Sequence, residues 1–199
     1  MEKFRISTNQ YLRQNIISYY HTNYIGYQKL NNPDYLNDLK NTFGNYPKEK
    51  LDNAMKQLYN VLKIDLSNFS DDYTVCIVPR SKAENTYNHN QLLFKKVVQH
   101  LINELGFQDG SDYIIRHTDT KTTHLARSQR AAQYAGNGDM PYPGITKDTC
   151  HLSNNIRGKK ILLIDDIYTA GVNIDEDAIQ ALLDSGARFV TFYAVGKTV

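Results

Sequence analysis

The sequence predicts an α/β domain built on a parallel sheet, preceded by an N-terminal helical segment. Three observations carry this. Tyr73–Val78, Lys160–Ile164 and Phe189–Val195 are apolar, β-branched runs, the pattern of strands buried on both faces. Between the first two runs, Leu93, Val97, Leu101, Ile102 and Leu105 fall on one helical face. Strands that alternate with helices favour a parallel sheet with right-handed crossovers.

The chain has 199 residues, the size of one domain with a helical addition. Its hydrophobic content of 41% suits a packed core. The net charge of +2 calls for neither nucleic acid nor a membrane surface. Met1 to Tyr20 holds no apolar stretch long enough for a signal peptide or a membrane span, so a cytoplasmic protein is expected. Cys76 and Cys150 are isolated, which gives neither a zinc site nor a disulfide framework.

Residues 1–70 read as helical. Ser7 with Gln10 looks like a helix start, and Tyr11, Ile16, Ile17 and Tyr20 make an apolar stripe. Pro33 and Pro47 punctuate two further helical stretches, at 34–43 and 48–62. These residues show no catalytic constellation and read as a cap, a hood or a partner surface. From residue 71 the α/β pattern takes over. Tyr73–Val78 is the first strand, and a helix over 90–105 ends at Gly106. Tyr113–Ile115 is a short second strand. Residues 117–158 are polar and loop-rich. Lys160–Ile164 is a further strand, followed by a helix over 174–183, Gly186 and a last strand over 189–195. In such sheets ligands bind beyond the carboxyl ends of strands.

Two polar features fall at those ends. The first is Asp165-Asp166, two adjacent carboxylates that are costly to ionise together. Ribose hydroxyls and Mg2+ are their natural partners. Thr169, Ala170, Gly171, Val172 and Asn173 follow as a turn of mostly small residues whose backbone N–H groups meet a helix start, which favours an anion. Asn173 and Glu176 have capping-box spacing. Asp175, Glu176 and Asp177 read as helix-start charges favoured by the helix dipole. The second feature is Pro79-Arg80-Ser81-Lys82, a basic turn suited to a pyrophosphate. Arg116, Lys121, Arg127 and Arg130 add cations in the loop-rich region, with His117 and His124 as acid–base candidates.

The Ile161–Asn173 segment resembles the phosphoribosyl-pyrophosphate signature of the type I phosphoribosyltransferases, although Ala170 and Asn173 replace hydroxyl residues of the pattern. Val78–Lys82, Tyr87–Gln91 and Arg116–Arg130 resemble the competence-associated ComF branch, without its cysteine-rich zinc module. The likeness spans Tyr73 to Thr198. It implies a Rossmann-like sheet of the phosphoribosyltransferase type over 71–199. It also implies that Asp165 and Asp166 hold the ribose hydroxyls and, through the ribose, Mg2+. Thr169 to Asn173 would cradle the 5-phosphate, Arg80 to Lys82 would meet pyrophosphate, and the 116–130 cations would belong to a mobile loop. The ligand is then phosphoribosyl pyrophosphate or a ribose-5-phosphate nucleotide, and the activity is transfer of the phosphoribosyl group to or from a base. The alternative is a non-catalytic nucleotide sensor or effector subunit in a DNA-handling or defence assembly, docked through residues 1–70.

Overall fold

The computed structural model describes residues 1–127, 129 and 131–199. The elements are β1 (Glu2–Ile6), β2 (Ile16–Tyr24), α1 (Tyr35–Lys40), α2 (Lys48–Leu66), β3 (Thr74–Ile77), α3 (Leu93–Leu105), β4 (Gln108–Asp109), β5 (Ile114–Arg116), α4 (Thr123–Ala126), α5 (Ile145–Thr149), β6 (Cys150–Leu152), β7 (Lys160–Tyr168), α6 (Ile174–Asp184) and β8 (Phe189–Thr198). The main sheet has the order β1-β2-β8-β7-β3-β4. β1 is an antiparallel edge, and every other neighbouring pair in this sheet is parallel. The mixed α/β architecture and its largely parallel sheet agree with the expectation from sequence. β5, expected as part of that sheet, instead pairs antiparallel with β6 in a separate two-stranded sheet.

The start of the chain departs from the expected helix. Residues 2–24 form two strands, and β2 lies between β1 and β8 in the main sheet. Ser7 and Gln10 lie in the connection, where the Asn9 carboxamide oxygen accepts the N–H groups of Tyr11 (2.8 Å) and Leu12 (3.0 Å). That is a turn, not a helix start. Residues 1–70 are therefore an edge of the sheet plus two helices laid over it, rather than a helical annex standing beside it.

Two apolar layers explain why the middle of each central strand is almost wholly apolar, with Thr74 and Thr191 the buried threonines among them. On one face Val75, Ile77, Leu162, Ile164 and Tyr193 pack with residues of α1, α2 and α3. On the other, Cys76, Ile161, Leu163, Phe192 and Ala194 pack with Ala178, Ile179 and Leu182 of α6. Alternate residues of each strand thus serve opposite layers. α2 is also fixed by a polar tie: buried Asp65 accepts the Tyr193 hydroxyl at 2.8 Å and lies 3.0 Å from His21 Nδ1. Burial opposes ionisation of Asp65, but those two partners hold its carboxyl below the usual range. Gly106, with φ of 77°, ends α3 in the left-handed conformation that glycine allows. Among the described residues, no helix is long and apolar enough to cross a membrane.

Candidate functional site

β3 stays paired with β7 only as far as Ile77 and Ile164. It then turns away at Pro79, while β7 runs on beside β8 to Tyr168. The divergence opens a cavity of about 410 Å3 at the carboxyl ends of these strands. That volume is in the range of small-molecule sites. Its wall contains Arg80, Ser81 and Lys82, the pair Asp165 and Asp166, and Arg116. Thr169 and Val172 also line it. Residues expected to act together from two distant stretches of sequence therefore share one space.

The acid pair lies inside β7, because the strand extends four residues beyond the expected end at Ile164. The two side chains have different neighbours. Asp166 Oδ2 receives the ammonium of Lys40, from the end of α1, at 3.1 Å. Burial disfavours the ammonium, but Asp166 and then Asp165 outweigh it and raise its pKa. Asp165 Oδ1 accepts the backbone N–H of Asp166 at 2.8 Å, and its carboxyl meets that of Asp175, from the first turn of α6. Two carboxyls in hydrogen-bond contact need a proton between them. Burial, and next the charge of Asp166, pushes Asp165 up to about 7. Burial and the charge of Asp165 push Asp175 well above its ordinary value. Asp175 is 5% exposed, its Oδ1 has no hydrogen-bond partner among the described residues, and it too lines the cavity.

The turn after the acid pair forms at Thr169–Val172, where Val172 N–H donates to the Thr169 carbonyl at 3.1 Å. Gly171 takes a φ of 78°, as a turn of small residues requires. Asn173 does not cap α6 with its side chain, as its spacing to Glu176 suggested. It adopts a left-handed φ of 66°, and its amide donates to the Gly171 carbonyl at 3.0 Å. Glu176 instead accepts the Tyr168 hydroxyl at 2.9 Å. Asp175, Glu176 and Asp177 do stand in the first turn of α6, as expected of helix-start charges, but all three are buried. Asp177 accepts the N–H groups of Gly144 (2.6 Å) and Thr146 (2.7 Å), which ties the start of α5 to α6.

The expected cations separate into two groups. Arg116 is not on a loop; it ends β5 and is 2% exposed. Its Nε donates to the Arg80 carbonyl at 2.7 Å and its Nη1 to the Thr149 hydroxyl. Among the described residues no carboxylate forms an ion pair with it. A buried guanidinium that bonds only neutral acceptors and borders a cavity is suited to an anion. Arg80 stacks on Tyr87, 4.4 Å from the ring centroid, and bonds the Gln91 carbonyl. Lys82 donates to the carbonyls of Thr120 (2.9 Å) and Asn137 (3.1 Å), so it fastens the 117–137 segment to the basic turn. Ser81 adds a hydroxyl contact to Thr122 at 2.9 Å.

Lys121 and Arg127 stand outside the cavity wall; Arg127 reaches the Thr169–Val172 turn from without, donating to the Gly171 carbonyl at 2.9 Å. Ala170 and Gly171 are exposed beside the cavity rather than in its wall. Arg130 lies outside the described residues, as does the side chain of His124. His117 is exposed against His151, 4.4 Å between ring centroids, and does not line the cavity.

Sequence reasoning missed Lys40 and Asp175. Nothing local marks Lys40, since only the fold brings α1 to the acid pair. Asp175 carried a signal, its place ten residues past Asp165, but it was read as a dipole charge. Mg2+ was expected here through the ribose; an ion directly on Asp166 would meet the Lys40 ammonium that this carboxylate already holds. Among the described residues no group of three or more His, Cys, Asp or Glu side chains is placed to hold a metal ion. Comparison of the chain with family models, curated proteins and solved structures gives no match.

Proposed function

We propose that the cavity binds a ribose 5-phosphate group, in phosphoribosyl pyrophosphate or in a nucleotide, and that the protein transfers the phosphoribosyl group to or from a base. The observation that carries this reading is the meeting of the acid pair with the carboxylate-free Arg116 in one cavity of about 410 Å3 at the carboxyl ends of parallel strands. Carboxyl groups suit ribose hydroxyls, and a buried guanidinium suits phosphate.

In this reading the carbon–oxygen bond between the anomeric carbon and pyrophosphate breaks as a bond to the base nitrogen forms. Arg80 and Arg116 stabilise the charge that develops on the departing pyrophosphate. Asp165 and Asp166 hold the ribose hydroxyls, and the charge carried by the acid pair favours the positive character of the anomeric carbon, Asp166 more than Asp165, whose contact with Asp175 holds a proton. Lys82, engaged with two carbonyls, keeps the basic turn in place. A divalent ion enters only as a companion of the ligand's own phosphates.

Calorimetric titration with phosphoribosyl pyrophosphate tests the binding. A dissociation constant below millimolar is expected; no heat at millimolar ligand with Mg2+ present would sink the proposal. A second reading, a non-catalytic nucleotide sensor or effector subunit, is favoured by the turn itself. Its polar side chains are engaged within the chain: the Thr169 hydroxyl with that of Thr198 at 2.7 Å, and Asn173 with Gly171 and Asn9. Pyrophosphate release over a panel of bases separates the two. Turnover supports the enzyme, and tight binding with no turnover supports the sensor.

A further inference from the structure

Lys40 is placed by its own helix and not by chance contact. α1 is anchored by Leu36 and Leu39, both 1% exposed in the core under α2 and α3. The helix ends at Asn41, which is buried in a left-handed conformation. Asn41 Oδ1 accepts the Tyr46 N–H at 3.2 Å, and its carbonyl accepts the Gln91 side chain at 3.3 Å. Gln91 is the residue whose carbonyl also receives Arg80. The end of α1 is thus tied to the basic turn across the cavity. From that fixed point Lys40 reaches Asp166 at 3.1 Å. An ammonium is compact, carries up to three donors and has no acceptor. It can bond Asp166 and still turn a donor toward a ligand oxygen. A divalent ion at the same carboxylate would stand against this ammonium, with like charges in contact.

We infer that Lys40 takes the place of a divalent cation at the acid pair, so that the cavity holds a ribose 5-phosphate group without a metal ion. This rests on the ribose-phosphate reading above. It deepens that reading by naming what neutralises the carboxylates and by assigning residues 1–70 a part in the site. Lys40 is a positioning residue: it sets the charge and orientation of Asp166 and adds one donor for the sugar.

The test has two arms. In the first, the full chain is titrated with ribose 5-phosphate by calorimetry, in EDTA and then in millimolar Mg2+. The wild type should bind with the same affinity in both. Lys40→Met should bind about tenfold more weakly in EDTA, the loss of one charged contact, and Mg2+ should restore part of that loss. Lys40→Arg, which keeps the charge, should retain metal-free binding. In the second arm the ligand-free protein is titrated with Mn2+. The wild type should show no site that Asp166→Asn removes, whereas Lys40→Met should gain one. Wild-type binding that requires Mg2+, or a wild-type Mn2+ site that Asp166→Asn removes, overturns the inference. So does a Lys40→Met variant that binds as the wild type does in EDTA. Absence of ribose 5-phosphate binding in both buffers overturns the ribose-phosphate reading and this inference with it. The Mn2+ arm needs no sugar ligand, so a failure confined to it counts against Lys40 alone.

Discussion

Asp165 holds its proton more tightly in the folded chain than in the unfolded one, and this makes stability depend on pH in a stated direction. Burial and Asp166 raise it from 3.8 to about 7. A carboxyl raised on folding stabilises fully below its unfolded value, and that contribution is lost as pH climbs through the folded value. Stability attached to Asp165 should therefore fall between about pH 4 and pH 7. At ~1.36 kcal/mol per pH unit the ceiling is about 4 kcal/mol. Asp165 borders an open cavity, and screening by water there brings the expected effect down to about 2 kcal/mol. Asp165→Asn keeps the shape and the acceptor for the Asp166 N–H while removing the titration. Urea denaturation across this pH range should show variant and wild type alike near pH 4, with the variant more stable by about 2 kcal/mol at pH 7. Asp65, held low, loses its contribution only as pH falls below the ordinary carboxylate range, and it is common to both proteins. A difference that stays constant with pH, or a variant that weakens as pH rises, would refute the reasoning. A stabilised variant that no longer binds sugar phosphate would show that the carboxyl is kept at a cost in stability.

Asp177→Ala should remove the acceptor of two N–H groups, the half-buried one of Gly144 and the buried one of Thr146, and destabilise the chain by about 3 kcal/mol in urea denaturation; a loss under about 1 kcal/mol would mean that water or another acceptor replaces the carboxylate. Gly138→Ala should break the contact between the 117–122 and 136–140 stretches, because a Cβ there would lie 2.2 Å from the Asp119 carbonyl oxygen at a φ of +107°. The expected cost is about 1–3 kcal/mol, with faster proteolysis of that region in the folded protein, and unchanged cleavage would count against it.

The sequence made the central layers legible because their signal is local. Each central strand serves two apolar layers, so β3 and the core of β7 appear as unbroken apolar runs whatever the rest of the chain does. β2 was not legible. Ile16 and Tyr20 are four residues apart, a spacing that fits one face of a helix and one face of a strand equally. The deciding positions are Ile17, 52% exposed, and Ser18, fully buried. An apolar residue outside and a hydroxyl inside invert the usual pattern, because the strand lies near the sheet's edge and Ser18 is enclosed by its neighbours. The site divides in the same way. The acids, the turn and the basic loop stand in order along the chain and could be named. Lys40 could not, because 125 residues separate it from Asp165 and only the packing of α1 closes that gap. Arg116 was named for its charge but placed on a loop, since a three-residue strand in a second sheet leaves almost no periodic trace.

Ala170 and Asn173 stand where the resembled signature has hydroxyl residues, and under the proposed function this bears on where recognition comes from. Thr169, the hydroxyl that remains, is turned to Thr198, and the Gly171 carbonyl is held by Asn173 and Arg127. The turn is thus shaped by backbone and amide contacts and does not depend on hydroxyl side chains. What it can offer an anion is backbone N–H groups other than that of Val172, which the Thr169 carbonyl takes, while the buried acids in the first turn of α6 work against an anion there. If the proposed function holds, charge recognition falls to Arg116, which is buried and bonded, among the described residues, to neutral oxygens. Arg116 joins β5 to the basic turn through the Arg80 carbonyl, so an anion drawn to it is also drawn to the strand end that positions Arg80. A site organised this way would lose anion affinity through Arg116 before it lost it through the turn, even though the turn is the part that the sequence makes conspicuous.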